Sequence, residues 1–457
     1  MVLVVACGDF TIGIPFTPMN PDQDTSSKQN SSSDPDALVG QVAQLLCLVR
    51  SGKAANIQQA FLLAKELGNP PAFRQLLEGL LALYQLAFKN TRKKLDAHSV
   101  VKLFQLTHLQ IQERGLTTLP ESLVGLHHLQ GLNCSHNYHL QALPQNIDEL
   151  LSLQTLDCSH NQLQTVPEGL GNLYNLRELD CSFNHLQALP ESLGKLQNLQ
   201  TLTCANNHLQ ELPKSLRALH NLQEFDCSHN HLQALPESMG GLQHLQRLNC
   251  SSNPIHVLPE SLGHLHNLQE IYCYKNDLQA LPESLGELHN LRGLSCHFNR
   301  LQALPKSLGK LQNLQMLDCC YNQLPALPES VPELQKLLWL FCAGNQLQVL
   351  PERLARLPHL QWLNCGENHL QTLPENLGNL HNMQWLFCAG NDLQALPESI
   401  GNLHQLQTLD CSSNQLKTLP ESLVKLPKLT RLDARNNPLT HIPTALRHKK
   451  GLELLVN

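Results

Sequence analysis

Residues 153–175 read Leu-Gln-Thr-Leu-Asp-Cys-Ser-His-Asn-Gln-Leu-Gln-Thr-Val-Pro-Glu-Gly-Leu-Gly-Asn-Leu-Tyr-Asn. In both directions the same frame recurs: Leu-x-x-Leu-x-Cys-x-x-Asn-x-Leu-x-x-Leu-Pro-x-x-Leu-x-x-Leu-x-x. Its asparagine returns every 23 residues from Asn161 to Asn437, and one step of 24 separates Asn137 from Asn161. Fifteen units open between Leu106 and Leu429. With positions counted from the first leucine, the Leu-x-Cys stretch at positions four to six alternates with period two, which suits a short strand with one buried face. The Leu-Pro-x-x-Leu-x-x-Leu half advances by three and four, which suits a helical turn. One strand and one turn per unit make one coil of a solenoid, and no coil can bury its leucines alone. Stacked at about 4.8 Å per strand, fifteen coils predict a parallel sheet roughly 70 Å long.

Composition narrows the class. The 457 residues contain only 4% aromatics, too few for several compact cores. With 32 Lys plus Arg against 38 Asp plus Glu, the net charge is −6, so no basic field exists to hold a phosphate backbone, and nucleic acid is not an expected partner. No apolar run approaches the roughly 18 residues needed to span a bilayer, and residues 1–7 lack a charged n-region, so no membrane association is expected and the cytoplasm is the expected compartment.

The frame resembles the leucine-rich repeat superfamily, in particular its 23-residue bacterial and intracellular class with Leu-Pro after the asparagine loop. The resemblance covers residues 106–450. It implies an α/β solenoid, a horseshoe of about fifteen units whose parallel sheet lines the concave side and mostly binds other proteins. One departure is a cysteine in place of the third strand leucine in thirteen units, with Ile111 and Ala434 at the two ends.

The asparagine column has a structural explanation. Where the chain turns inward after the strand, buried backbone groups need partners, and a side-chain amide both donates and accepts. Arg114 holds that place in the first unit. Thirteen of sixteen cysteines form a second column, Cys134 and then every 23 residues from Cys158 to Cys411. Disulfides along it are disfavoured, because Cβ atoms must approach to about 3.8 Å and in-register rungs are about 4.8 Å apart. A straight line of thiols also cannot surround a tetrahedral metal. Small buried hydrophobes remain, and so many free thiols suit a reducing compartment.

Residues 20–36 hold no apolar side chain, so 1–36 are read as a disordered leader. Residues 37–105 carry helical stripes (Leu38, Val42, Leu45, Leu46, Val49, then Ile57, Phe61, Leu62, Leu67), a break at Gly68-Asn69-Pro70-Pro71 and a third helix over 73–88. Such a block is placed to cap the open end of the leucine core. Residues 106–457 are then the solenoid, closed by a truncated sixteenth unit containing Pro443, Leu446, Leu452 and Leu455.

Function is sought at positions three, five, seven and eight, which should face the hollow. Position three holds Trp339, Trp362 and Trp385, all the tryptophans of the chain, and position five adds Phe341 and Phe387 around Asn364. Positions seven and eight shrink to Ala343-Gly344, Gly366-Glu367 and Ala389-Gly390, while earlier units contribute Tyr272, Tyr274, Phe298, Met316 and Tyr321. Large aromatics on water-facing positions beside small ones predict an apolar trough of the kind that marks a binding site. Nearer the amino end the same face is acidic, with Asp157, Glu178, Asp180, Glu224, Asp226 and Glu270, so a partner should bring an apolar protrusion to one zone and basic residues to the other.

The only catalytic arrangement worth testing is Cys320 with His297 and Asp318 on neighbouring units. An open strand surface offers it neither oxyanion donors nor exclusion of water, so no catalytic residue, metal ligand or cofactor is assigned. The expectation is a non-enzymatic, monomeric scaffold that binds a protein partner on its concave face. The competing expectation is a receptor for a small or carbohydrate ligand stacked on the tryptophans.

Overall fold

The computed structural model describes residues 2–7, 10–15 and 35–456. The described residues form two compact units, Met1–Leu156 and Asp157–Asn457. Within the first, Val2–Cys7 and Phe10–Pro15 pair as an antiparallel hairpin. Of the leader expected over residues 1–36, residues 1, 8, 9 and 16–34 lie outside the described residues. Four helices follow: α1 (Pro35–Arg50), α2 (Ala54–Glu66), α3 (Pro71–Phe88) and α4 (Ala97–Phe104). The break before α3 is a left-handed pair, Gly68 at φ +71° and Asn69 at +56°, with Pro71 opening the helix where no backbone donor is required. Helix α4 is too short for its periodicity to stand out in the sequence, and it is set by Asp96, whose carboxylate accepts from the Ser99 N–H at 2.8 Å. The Ser122 hydroxyl of the first repeat donates to the Gly79 carbonyl of α3 at 2.8 Å, and Phe104 of α4 is buried. Strands His108–Gln110 and Gly131–Asn133 then pair in parallel.

The second unit is regular. From Glu178–Asp180 to Glu453–Leu455 each strand is three residues long and pairs in parallel with the next, so that Glu178 lies beside Thr201 and Trp385 beside Thr408. The half expected to be a helical turn is a 3₁₀ turn, as in Glu168–Asn172, entered through Pro167 in extended backbone. These turns are three or five residues long and close through bonds three residues apart, the Leu170 N–H donating to the Pro167 carbonyl at 3.0 Å. At the carboxyl end a four-residue helix, Thr444–Arg447, leads to a final strand in which Leu454 lies beside Leu432.

Leucines from strand and turn fill the interior, and the column cysteines lie among them, Cys158 to Cys411 each wholly buried. Burial pushes the column thiols from Cys181 to Cys411 up, to about 12 at Cys273 and Cys365, so they stay protonated and unreactive. Several donate weakly to the next rung, Cys158 Sγ to the Asp180 carbonyl at 3.4 Å. The asparagines stitch the coils as their position implies. The Asn184 side-chain amide donates to the carbonyls of Cys158, Cys181 and Ser182 at 3.0–3.1 Å, and its Oδ1 accepts from the Leu163 N–H at 2.9 Å.

Candidate binding surface

Alternation along the strand decides what meets water. In Thr155–Asp157, and in most of the equivalent strands after it, position four is buried while positions three and five are open; Gly293–Ser295 is buried throughout, and Asp433 is buried at position five. Position seven departs from expectation: Ser159, Ser182 and Ser228 are buried, at 4–6% exposure. The chain is already turning there, and the serine is drawn back to the aspartate two residues earlier. Ser159 donates to Asp157 Oδ1 through its N–H at 3.0 Å and its hydroxyl at 2.7 Å, and Ser182 does the same to Asp180. Position eight completes the turn in left-handed backbone, φ +51° at Phe183, +53° at Phe298 and +50° at Tyr321 and Glu367. These side chains are thrown outward, leaving Phe183, Phe298 and Tyr321 exposed at the end of the strand face.

The aromatic residues expected on one surface do come together in the second unit. Trp339, Trp362 and Trp385 lie side by side in register, as do Phe341, Asn364 and Phe387. Trp339 is 39% exposed and the other two are half-buried, packed against each other with ring centres 5.3 Å apart. Phe341 stands edge-on to Trp362 at 5.3 Å, and Phe387 lies 5.9 Å from it. A second group stacks nearby, Tyr274 on His297 at 4.5 Å and Phe298 on Tyr321 at 4.6 Å. The small residues have a backbone cause as well as a spatial one. Gly344 sits at φ +64°, and a Cβ there would fall 2.4 Å from Tyr321 Cδ1, so the phenol ring can lie across it only because it is glycine. Tyr272 is turned toward the acidic zone, its hydroxyl donating to Glu270 at 3.0 Å.

That zone is less acidic than its six carboxylates imply. Arg247 stands in the same column between Glu224 and Glu270 and bridges both at 2.8 Å. The alternation of sign down one column was available in the sequence, once register was known. Asp226 Oδ2 accepts from Asn249 Nδ2 at 3.0 Å, and Asp157 and Asp180 each commit one oxygen to their serine. Burial raises the Asp180 carboxyl above its usual range, even though the Ser182 hydrogen bonds pull it down. Glu178 is exposed.

The Cys320 arrangement assembles with the wrong electrostatics for a nucleophile. His297 Nδ1 lies 3.0 Å from Asp318 Oδ2 and 2.8 Å from Ser295 Oγ, while Cys320 N–H donates to Asp318 Oδ1 at 3.1 Å. Burial and the adjacent Asp318 charge push the Cys320 thiol up, where a nucleophilic cysteine needs it lowered. Among the described residues no group of three or more His, Cys, Asp or Glu is placed to hold a metal ion, and no helix is long and apolar enough to cross a membrane.

One short strand, one asparagine-stitched turn and one 3₁₀ turn per coil define a leucine-rich repeat solenoid. The family model for the leucine-rich repeat region matches residues 75–206, 187–303, 283–389 and 364–457, and the chain belongs to that family. Among solved structures it is similar to a leucine-rich repeat protein of Leptospira interrogans, at 32% identity over 77% of this chain and 95% of that one, with a TM-score of 0.68. Two others share the fold: a plant peptide hormone receptor, RGFR1, in complex with RGF2 (24% identity, 78% of this chain and 64% of that one, TM-score 0.65), and InlJ of Listeria monocytogenes, whose functional domain includes a cysteine ladder (22%, 73% and 74%, 0.58). A search of curated protein sequences returned no match. Leucine-rich repeat proteins are generally binding scaffolds.

Proposed function

We propose that the chain is a non-enzymatic scaffold that binds a protein partner on the water-facing side of its parallel sheet. The observation that carries this is the in-register trio Trp339, Trp362 and Trp385 with Phe341 and Phe387, a contiguous aromatic area left open to water. A domain that needed these rings only for stability could bury them, whereas desolvated aromatic anchors supply most of the energy at protein interfaces. The carboxylates from Asp157 to Glu270 form the flank of the same surface, with Arg247 placed to favour a partner of mixed charge over a uniformly basic one. Buried, protonated thiols throughout the core support a reducing compartment such as the bacterial cytoplasm, and a monomer suffices, because each coil buries its leucines against its own neighbours.

The test is a pull-down from a bacterial lysate with the wild-type chain and with Trp339→Ala/Trp362→Ala/Trp385→Ala. The expected outcome is a protein retained by the wild type and lost by the variant, with both melting within a few degrees of one another. Retention by both would sink the assignment of this face.

A further inference from the structure

Two rungs of the aromatic zone are identical, Trp-Leu-Phe-Cys-Ala-Gly-Asn at 339–345 and again at 385–391. The rung between them, Trp362-Leu363-Asn364-Cys365-Gly366-Glu367-Asn368, departs from its neighbours only at positions five, seven and eight, those of the strand end and turn. Phenylalanine becomes asparagine, alanine becomes glycine, and glycine becomes glutamate. We propose that Phe341, Trp362 and Phe387 form an aromatic platform, with Glu367 at the turn of the same rung as Trp362, that receives a basic side chain, arginine or lysine, of the protein partner. This rests on the strand face being the protein-binding surface.

The geometry is that of three rings around a shortened rung. Phe341 and Phe387 are two strands apart, with Asn364 paired between them, which sets their backbones about 10 Å apart. The Trp362 ring packs against both, edge-on to Phe341 at 5.3 Å and 5.9 Å from Phe387, so it fills the gap between them and the three rings present one continuous surface. The rest of that rung is kept low: Asn364 folds its Oδ1 back onto the Gly366 N–H at 3.2 Å, and a Cβ at Gly366 would crowd the Ala389 carbonyl at 3.0 Å.

At the turn of the same rung stands an exposed carboxylate held in place without a cation. Left-handed backbone at φ +50° throws Glu367 outward. A Cβ added at Gly390 would meet Glu367 Cγ at 3.5 Å, so the stem lies along that glycine. From the other side Tyr321, lying across Gly344, brings its hydroxyl to 3.5 Å from Glu367 Oε1. No Lys, Arg or His forms an ion pair with Glu367 among the described residues. Positions three, five, seven and eight of the strands from Met316 to Thr408 contain neither Lys nor Arg. Ring faces carry negative potential, so a cation laid on this aromatic surface gains from the rings and from the carboxylate, whereas a neutral side chain gains only burial and an anion is repelled. The acidic zone, where sequence alone placed the partner's basic residues, already holds Arg247 on two of its glutamates.

The test is to pan a random-peptide phage library on the full chain, then measure synthetic copies of the enriched peptides against wild type, Glu367→Gln and Trp362→Ala. Both substitutions change solvent-facing positions, and melting curves confirm that each variant is folded. Peptides enriched on the wild type are expected to share an arginine or lysine. Replacing it by citrulline or norleucine should weaken binding about tenfold or more, and Glu367→Gln should do likewise for the basic peptide but not for its neutral copy. The arginine and lysine copies of one peptide tell which cation fits better. Enriched peptides that lack a basic residue and bind Glu367→Gln as well as wild type would overturn the cation site while leaving the protein-binding face intact. Peptides enriched equally on wild type and on the triple tryptophan variant, or no enrichment at all, would overturn both.

Discussion

Asp180 carries a burial cost that its serine does not remove. Its folded-state carboxyl titrates above the usual range, so the native state holds its proton more tightly than the unfolded chain. Ionised, the group therefore costs stability, and the cost is relieved as pH falls through the folded value. Asparagine keeps an acceptor for the Ser182 N–H and hydroxyl but cannot ionise. Asp180→Asn is expected to melt higher than wild type at pH 7, with the gap closing as the buffer approaches pH 4. A variant melting lower at neutral pH would show that the charge serves the fold. The asparagine column answers to the same residue-scale logic. Asn230 accepts from the Leu209 N–H at 3.0 Å and donates to the carbonyls of Cys204, Cys227 and Ser228 at 3.0–3.1 Å. Asn230→Ala leaves these buried groups unpaired and is expected to cost about 2–4 kcal/mol in urea unfolding. This role was legible from the frame alone, since a buried turn needs a group that both donates and accepts.

At the scale of one rung, the informative unit is strand plus turn. Period two placed the leucine and cysteine inside and the tryptophan outside, and the paired strands keep that alternation. It did not reach position seven, because the extended backbone has ended there and Ser159 and Ser182 are pulled inward by Asp157 and Asp180. Nor did it distinguish a helical from a 3₁₀ turn, since both bring leucines three apart onto one side. Gly344 tests how the turn supports the surface. Gly344→Ala strains left-handed backbone by about 1–2 kcal/mol and drives a methyl into the Tyr321 ring. Lower stability is expected, together with loss of the Phe298 and Tyr321 stack, read as a shift of the Tyr321 ring resonances. Unchanged resonances would mean the ring does not rest on this glycine.

For the whole molecule, cooperativity follows from the way the coils are held. Each asparagine and each strand joins only adjacent rungs, so protection of the core is shared by neighbours and lost by fraying or by global opening. The column thiols report this directly. In native buffer at neutral pH they are expected to resist a disulfide-exchange reagent, with reaction confined to a few sites such as the half-buried Cys47. In urea they should become reactive over the same range in which the strand signal disappears. Rapid labelling of thirteen thiols without denaturant would contradict a buried column.

A repeat of this strictness admits one arrangement. Identical leucine, cysteine and asparagine positions at a fixed period bury a continuous core only when stacked in register, so the solenoid, its leucine, cysteine and asparagine columns and the place of the tryptophans were determined by sequence alone. Tertiary structure decided what happens between columns and between rungs: Arg247 shared by Glu224 and Glu270, serines folded back onto aspartates, Tyr321 reaching across Gly344 to Glu367 two rungs away. Those contacts depend on side-chain rotamers and on the left-handed turn at position eight. A column of letters records which residues are neighbours but not which way they lean.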